Sequence, residues 1–283
     1  MTSDDPAADV KFRLPSPMSQ MVAVFGAQMR LYSKSRIAII FIVLALLIPI
    51  LALSGAAKTI IEYFGVPPST SYLLMLLPLF SVVIPAMLAG RLLSSEFKDR
   101  TSYLLFTLPV ERSTYYAGKF LAAMVLSTGV FAIAYSFAII CGSSMYGPSY
   151  PNDVFGSFIV CIAGTFAVLA MAYGLGPYFK RGSTGKVIAI MIFLPMIVAG
   201  VMMLLDFDEH TSNVLWDALK TLPPFTGYQS MNLIDKGVGG PFLGMLFQIF
   251  AGPHSWFVYM AVSVLWGAAF FALGLSKVNK KEL

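Results

Sequence analysis

The residue types that carry chemistry are scattered through this 283-residue chain, and each grouping that invites a chemical reading fails on spacing. The run GSTGKV at 182–187 has the glycine, lysine and hydroxyl of a phosphate-binding loop. Such a loop needs a glycine five residues before its second glycine and a Ser or Thr after the lysine, so that backbone N–H groups and a hydroxyl converge on phosphate and its metal. Lys180 and Val187 hold those positions, and no Gly-Lys-Ser/Thr occurs elsewhere. The chain therefore lacks the usual means of hydrolysing ATP. It is not expected to be an enzyme or to carry a cofactor of its own, and any ATP-driven role needs ATP and Mg on a separate subunit.

The remaining candidates are weaker. Cys141 and Cys161 lie in apolar runs without CxxC spacing or a nearby histidine, which indicates neither a metal site nor a disulfide framework. They read as buried small hydrophobes. His210 and His254 sit far from any acid at membrane depth, and the cluster Asp206, Asp208, Glu209 and His210 could hold a cation weakly, although an acidic exit from a span is the commoner explanation. Ion-coupled transporters and intramembrane proteases place acids or histidines inside the bilayer, where they are costly and functional. No apolar run here contains one.

What must be positioned is membrane. The chain is 58% hydrophobic and 12% charged, against the roughly 25% charged residues of soluble domains. Six windows contain no charge: Ile37 to Ala57, Tyr72 to Gly90, Phe120 to Gly142, Val154 to Phe179, Val187 to Leu205 and Trp256 to Ser276. Each can cross about 30 Å of hydrocarbon as a helix. Pro49, Pro78, Pro85, Pro177 and Pro195 predict kinks, because neighbours in a bundle can satisfy the carbonyls they free. Ser81, Ser127, Thr128, Tyr135, Ser136, Ser157, Thr165 and Tyr173 suit hydrogen bonds between helices, and the methionines of the fifth window suit an adaptable apolar surface.

The fold expected is all-α and polytopic, with six membrane-spanning helices. Residues 1–36 form a cytoplasmic segment with no basic run leading into a cleavable apolar stretch, so no signal peptide is expected. Within it Met18, Met21, Val22, Phe25, Met29 and Tyr32 recur at helical spacing, with Gln20 and Gln28 elsewhere, which suits an interfacial helix. Residues 37–276 make the membrane domain and 277–283 a short tail. A loop at 206–255 contains an apolar stretch, Pro241 to Ala251, too short to span and expected to be re-entrant or interfacial.

Charge sets the orientation. Five Lys or Arg precede the first window, five lie in 91–119, and Lys180, Arg181, Lys186, Lys277, Lys280 and Lys281 fall on the same side. The opposite side holds only Lys58, Lys220 and Lys236. The positive-inside rule then gives a multi-pass protein of the cell membrane with both termini in the cytoplasm. The basic residues are dispersed among short loops, which speaks against nucleic acid as a partner.

One polar segment has the make-up of a contact with another protein: RLLSSEFKDRTSYLLFTLPVERSTYYAGK, residues 91–119. Asp99 or Thr101 can cap a short helix, Thr101, Leu104, Leu105 and Leu108 recur at i, i+3, i+4 and i+7, and Pro109 stops it. Tyr103 and Phe106 occupy its flank, so this helix of about two turns exposes apolar surface on most sides. A groove in a partner would bury that surface, and the headgroup layer of the bilayer would suit it equally well.

The order Glu96, Thr101, Leu104, Leu105, Thr107, Leu108, Pro109, Val110, Arg112, followed by Lys119 entering an apolar run, resembles the cytoplasmic loop of type-2 ABC exporter permeases. The family's usual glycine before the threonine is replaced by Arg100. The resemblance implies a coupling helix seated in a groove of an ABC ATPase subunit. Glu96, Thr101, Ser102, Tyr103, Leu104, Leu105, Phe106, Pro109 and Arg112 would be its contacts. It also implies a connecting helix before the first span, second and fifth spans lining the pathway, and pairing with a second permease subunit, identical or not. The alternative function is a membrane scaffold or assembly factor whose basic loops bind anionic lipid. The charge asymmetry predicts that a cysteine at Ser102 is labelled by impermeant maleimide only from the cytoplasm, and one at Ser212 only from outside. The reverse pattern overturns the topology.

Overall fold

The structure, a computed structural model, describes residues 15–34, 36–53, 81–89, 111–147, 154–176 and 256–280, with single residues at 70, 74, 77 and 197. Every extended element among them is helical. These are α1 (Pro17–Lys34), α2 (Arg36–Leu53), α3 (Arg112–Tyr146), α4 (Val154–Leu175) and α5 (Trp256–Lys280), with a further helical segment at 81–89. Among the described residues, three helices are long and apolar enough to cross a membrane: α3, α4 and the part of α5 from Phe257 to Lys277. The expected windows Val187 to Leu205 and 206–255 lie outside the described residues apart from Ile197.

Local chemistry accounts for the helix ends. Ser16 caps α1: its hydroxyl oxygen accepts from the Ser19 N–H at 3.4 Å, and Pro17 holds the first helical position, where its missing N–H costs nothing. At the far end of α3, Gly147 takes φ +83° and ψ 174°, a backbone conformation open essentially to glycine alone. The helices continue through Pro49 in α2 and through the buried Pro85 in 81–89.

α3 is the axis of the described fold. Its 35 residues span about 52 Å, well beyond the roughly 30 Å of a hydrocarbon core. The apolar window begins at Phe120, so Arg112 to Lys119 form two extra turns, and the last eight residues of the 91–119 segment are helical. α1 lies along these turns and α2 also packs against α3, while α4 and α5 form the most extensive pair among the described helices.

The α4–α5 pair closes on glycine. A Cβ added to Gly174 would strike the Phe270 backbone carbonyl, one on Gly267 would enter the Phe166 ring, and one on Gly274 would meet the Tyr116 hydroxyl and lie 2.9 Å from the Gly174 Cα. Around this contact the rings of Tyr116 and Phe120 from α3, Phe166 and Tyr173 from α4, and Phe271 from α5 interlock. Tyr116 and Tyr173 meet edge to face at 5.3 Å between centroids, and Phe120 and Phe271 lie 4.8 Å apart. Aromatic geometry of this kind adds to the area the rings bury. Higher up, Tyr135 of α3 and Ser157 of α4 share a buried hydrogen bond of 3.1 Å, the interhelical use expected of such residues. Cys141 and Cys161 are free and buried, as small hydrophobes are.

The face that α1 turns inward differs from its apolar pattern. Gln20, Gln28 and Tyr32 are 6%, 7% and 6% exposed, whereas Met18 and Val22 are 66% and 59% exposed. Met21, Phe25 and Met29 are half-buried at the edges. Helical spacing identifies a stripe but not what lies against it, and here the inward stripe runs in steps of four: Gln20, Val24, Gln28, Tyr32.

The glycine contacts rank two substitutions. Gly174→Ala places a methyl against backbone that cannot rotate away, and overpacking of this kind costs about 1–3 kcal/mol. Gly129, exposed on α3 with nothing within 4 Å, should gain up to about 1 kcal/mol as alanine through helix propensity. Thermal unfolding in detergent should therefore show a lower Tm for Gly174→Ala and an unchanged or higher one for Gly129→Ala. Equal shifts would contradict this packing.

Candidate functional site

The candidate site is the 91–119 segment, and the structure describes the part by which it returns to the helices. Of the residues named as partner contacts, Arg112 lies in the first turn of α3. Glu96, Thr101, Ser102, Tyr103, Leu104, Leu105, Phe106 and Pro109 lie outside the described residues, as do the helix limits assigned to them.

The return point is Glu111. Its backbone is extended, φ −63° and ψ 133°, and its carbonyl accepts the first helical hydrogen bond from the Tyr115 N–H at 3.0 Å. The Glu111 side chain makes no cap bond to the backbone but accepts a long one, 3.5 Å, from the Thr114 hydroxyl. The backbone N–H of Glu111 is one donor that α3 itself cannot satisfy. Its acceptor comes from α1: Gln20 Oε1, 3.1 Å away and 91 positions earlier in the chain. The same amide donates from Nε2 to the Pro15 carbonyl at 2.8 Å. One buried side chain thus joins the start of α1 to the start of α3.

Backbone contact reinforces that joint. At Gly118 a Cβ would lie 3.0 Å from both the Met21 carbonyl oxygen and the Val24 Cβ, so α1 and α3 touch almost without intervening side chain. Next to it, Lys119 is buried along its stem, with its ammonium 4.6 Å from the centre of the Tyr115 ring. At the far end of α1, burial pushes the Tyr32 phenol up. That phenol stays neutral at physiological pH.

The joint continues into the glycine contact. Tyr116, one turn into α3, reaches the Gly274 backbone of α5 and the Tyr173 ring of α4. The buried hydroxyls of Tyr116 and Tyr173 make no hydrogen bond. The start of α3 is thereby joined to α1 through Gln20 and Gly118, and to α4 and α5 through Tyr116. The arrangement connects helices to one another, and among the described residues no three His, Cys, Asp or Glu side chains come together as a metal site. Sequence reasoning did not mark Gln20 as functional. The one available signal was an amide at the spacing of Val24 and Tyr32, within a helix otherwise rich in apolar residues.

A family model described as ABC-2 family transporter protein matches residues 32–183, more than half of the chain. The match runs from the last turn of α1 through α2, the whole 91–119 segment, α3 and α4. No curated protein matches the chain.

Proposed function

We propose that this chain, which belongs to the ABC-2 transporter protein family, is the permease subunit of an ATP-driven exporter moved by a separate ATPase through its 91–119 loop. Membership makes it a multi-pass membrane permease of an ABC transporter. The finer assignment rests on one observation: the matched range encloses the loop together with the helices that the loop joins.

Six spans, cytoplasmic termini, an external loop at 206–255 with its short apolar helix, and a partner permease complete the assembly. The ATP and Mg belong to the ATPase. Leu104, Leu105 and Phe106 enter a groove on that subunit, Thr101, Ser102, Tyr103 and Pro109 shape the short helix that carries them, and Glu96 and Arg112 make flanking charged contacts. When nucleotide closes the ATPase dimer, the 101–108 helix is pushed, and the push reaches α3 at Arg112. The extra turns of α3 then act as a lever about 12 Å long. Its fulcrum is the Tyr116–Gly274 contact, so the spans on either side of the loop tilt and switch access. The outward apolar residues of α1, Met18 and Val22, rest on the inner leaflet beside Arg30 and Lys34.

The substitution Leu105→Asp separates a protein groove from a lipid surface. In a groove, an unpaired buried carboxylate costs on the order of several kcal/mol. The ATPase should then fail to co-purify while the permease still inserts and folds. On lipid, the aspartate turns to water and the complex survives. A normal pull-down of the ATPase by Leu105→Asp, with hydrolysis in the complex intact, overturns the proposed coupling.

A further inference from the structure

We propose that Gln20 is a positioning residue that pins α1 to the return of the 91–119 loop, so that α1 and α3 answer the ATPase as a single body. The inference rests on the reading of that loop as the ATPase contact, and it extends the moving unit to a helix that precedes the loop by dozens of residues.

Three observations carry it. First, the Gln20 amide uses both of its ends: Oε1 accepts from the Glu111 N–H at 3.1 Å and Nε2 donates to the Pro15 carbonyl at 2.8 Å. A side chain bonded at both ends while 6% exposed has no rotameric freedom to spare, so it transmits displacement instead of absorbing it. Second, the bonded group on the loop side is backbone at the residue where the loop becomes helix, so the pin grips the lever at its root. Third, Gly118 brings the same two helices into contact two turns further on, at Met21 and Val24. Two separate points of attachment suppress rotation of α1 about either one. A helix that merely lay on the bundle would need neither.

The test uses the full chain in lipid nanodiscs with the ATPase subunit that co-purifies with it. Spin labels are placed at Ser33 on α1 and Ser136 on α3, both exposed, and at Ser136 with Leu265 on α5. The two native cysteines are buried and stay unlabelled. Distances are measured without nucleotide and after trapping with MgATP and vanadate. In the unmodified background the Ser33–Ser136 distance should not change on trapping, while the Ser136–Leu265 distance should.

Gln20→Met keeps length and volume but removes both hydrogen bonds. Glu111→Pro removes the N–H together with the carboxylate, at a backbone φ of −63° that proline already favours, and comparison with Glu111→Ala isolates the N–H. Both variants should bind the ATPase, yet show a Ser33–Ser136 distance that shifts or broadens on trapping. Glu111→Ala, which keeps the N–H, should behave as the unmodified chain. Amide exchange at residue 111 should rise roughly fivefold to tenfold in Gln20→Met, the loss of about one hydrogen bond. If the α1–α3 distance moves on trapping in the unmodified chain, or stays fixed in both Gln20→Met and Glu111→Pro, the pin is overturned while the coupling reading stands. If trapping moves neither pair, the coupling reading fails and the pin with it.

Discussion

In a hydrocarbon solvent a helix gains little by burying leucine against another helix, because lipid would have covered that leucine as well. What remains is the closeness with which two backbones approach and the contacts that this permits. Gly174, Gly267 and Gly274 meet this condition between α4 and α5, and Gly118 meets it between α1 and α3. Each glycine removes a Cβ where another residue's backbone or ring must lie. The aromatic cluster of Tyr116, Phe120, Phe166, Tyr173 and Phe271 is built around the first three, and the loop's return is seated beside the fourth. Substituents at these positions would separate the helices, and the lever would lose its fulcrum.

The spans were legible because hydrocarbon excludes charge over about twenty residues, a requirement visible in any window. The uncharged runs at Ile37, Val154 and Trp256 begin within a residue of α2, α4 and α5. The ends were less legible, since a helix stops where capping stops it and not where polarity begins. α3 accordingly carries Arg112 and Lys119 inside its first two turns. The inward face of α1 could not be read from its apolar stripe for a related reason. An apolar stripe marks what avoids water, but a helix with water on one side, a bundle on another and lipid on a third does not need its most apolar face toward the bundle. Gln20 stayed hidden because its partner is a backbone N–H distant in the chain, and a backbone group has no signature in sequence.

The functional loop shows the opposite balance. The types and order of Glu96, Thr101, Leu104, Leu105, Pro109 and Arg112 carried the resemblance to ABC permeases, and the family match over 32–183 agrees with it. Leu104 to Phe106, the docking residues that the resemblance implies, lie outside the described residues. The described structure contributes what a loop motif cannot contain: a rigid root at Glu111, a second helix bonded to it and a route through Tyr116 to the far side of the bundle. A loop motif is written locally in the sequence, while a joint between helices depends on contacts between distant segments.

In the proposed coupling, Leu104 to Phe106 are seated in a protein groove. A photo-reactive amino acid in place of Phe106, activated in membranes containing the intact transporter, reports what covers this position. The expected product is a covalent adduct between this chain and an ABC ATPase subunit, mapped by mass spectrometry to a groove on that subunit's surface. Adducts with phospholipid alone, formed while the ATPase is present, would contradict it.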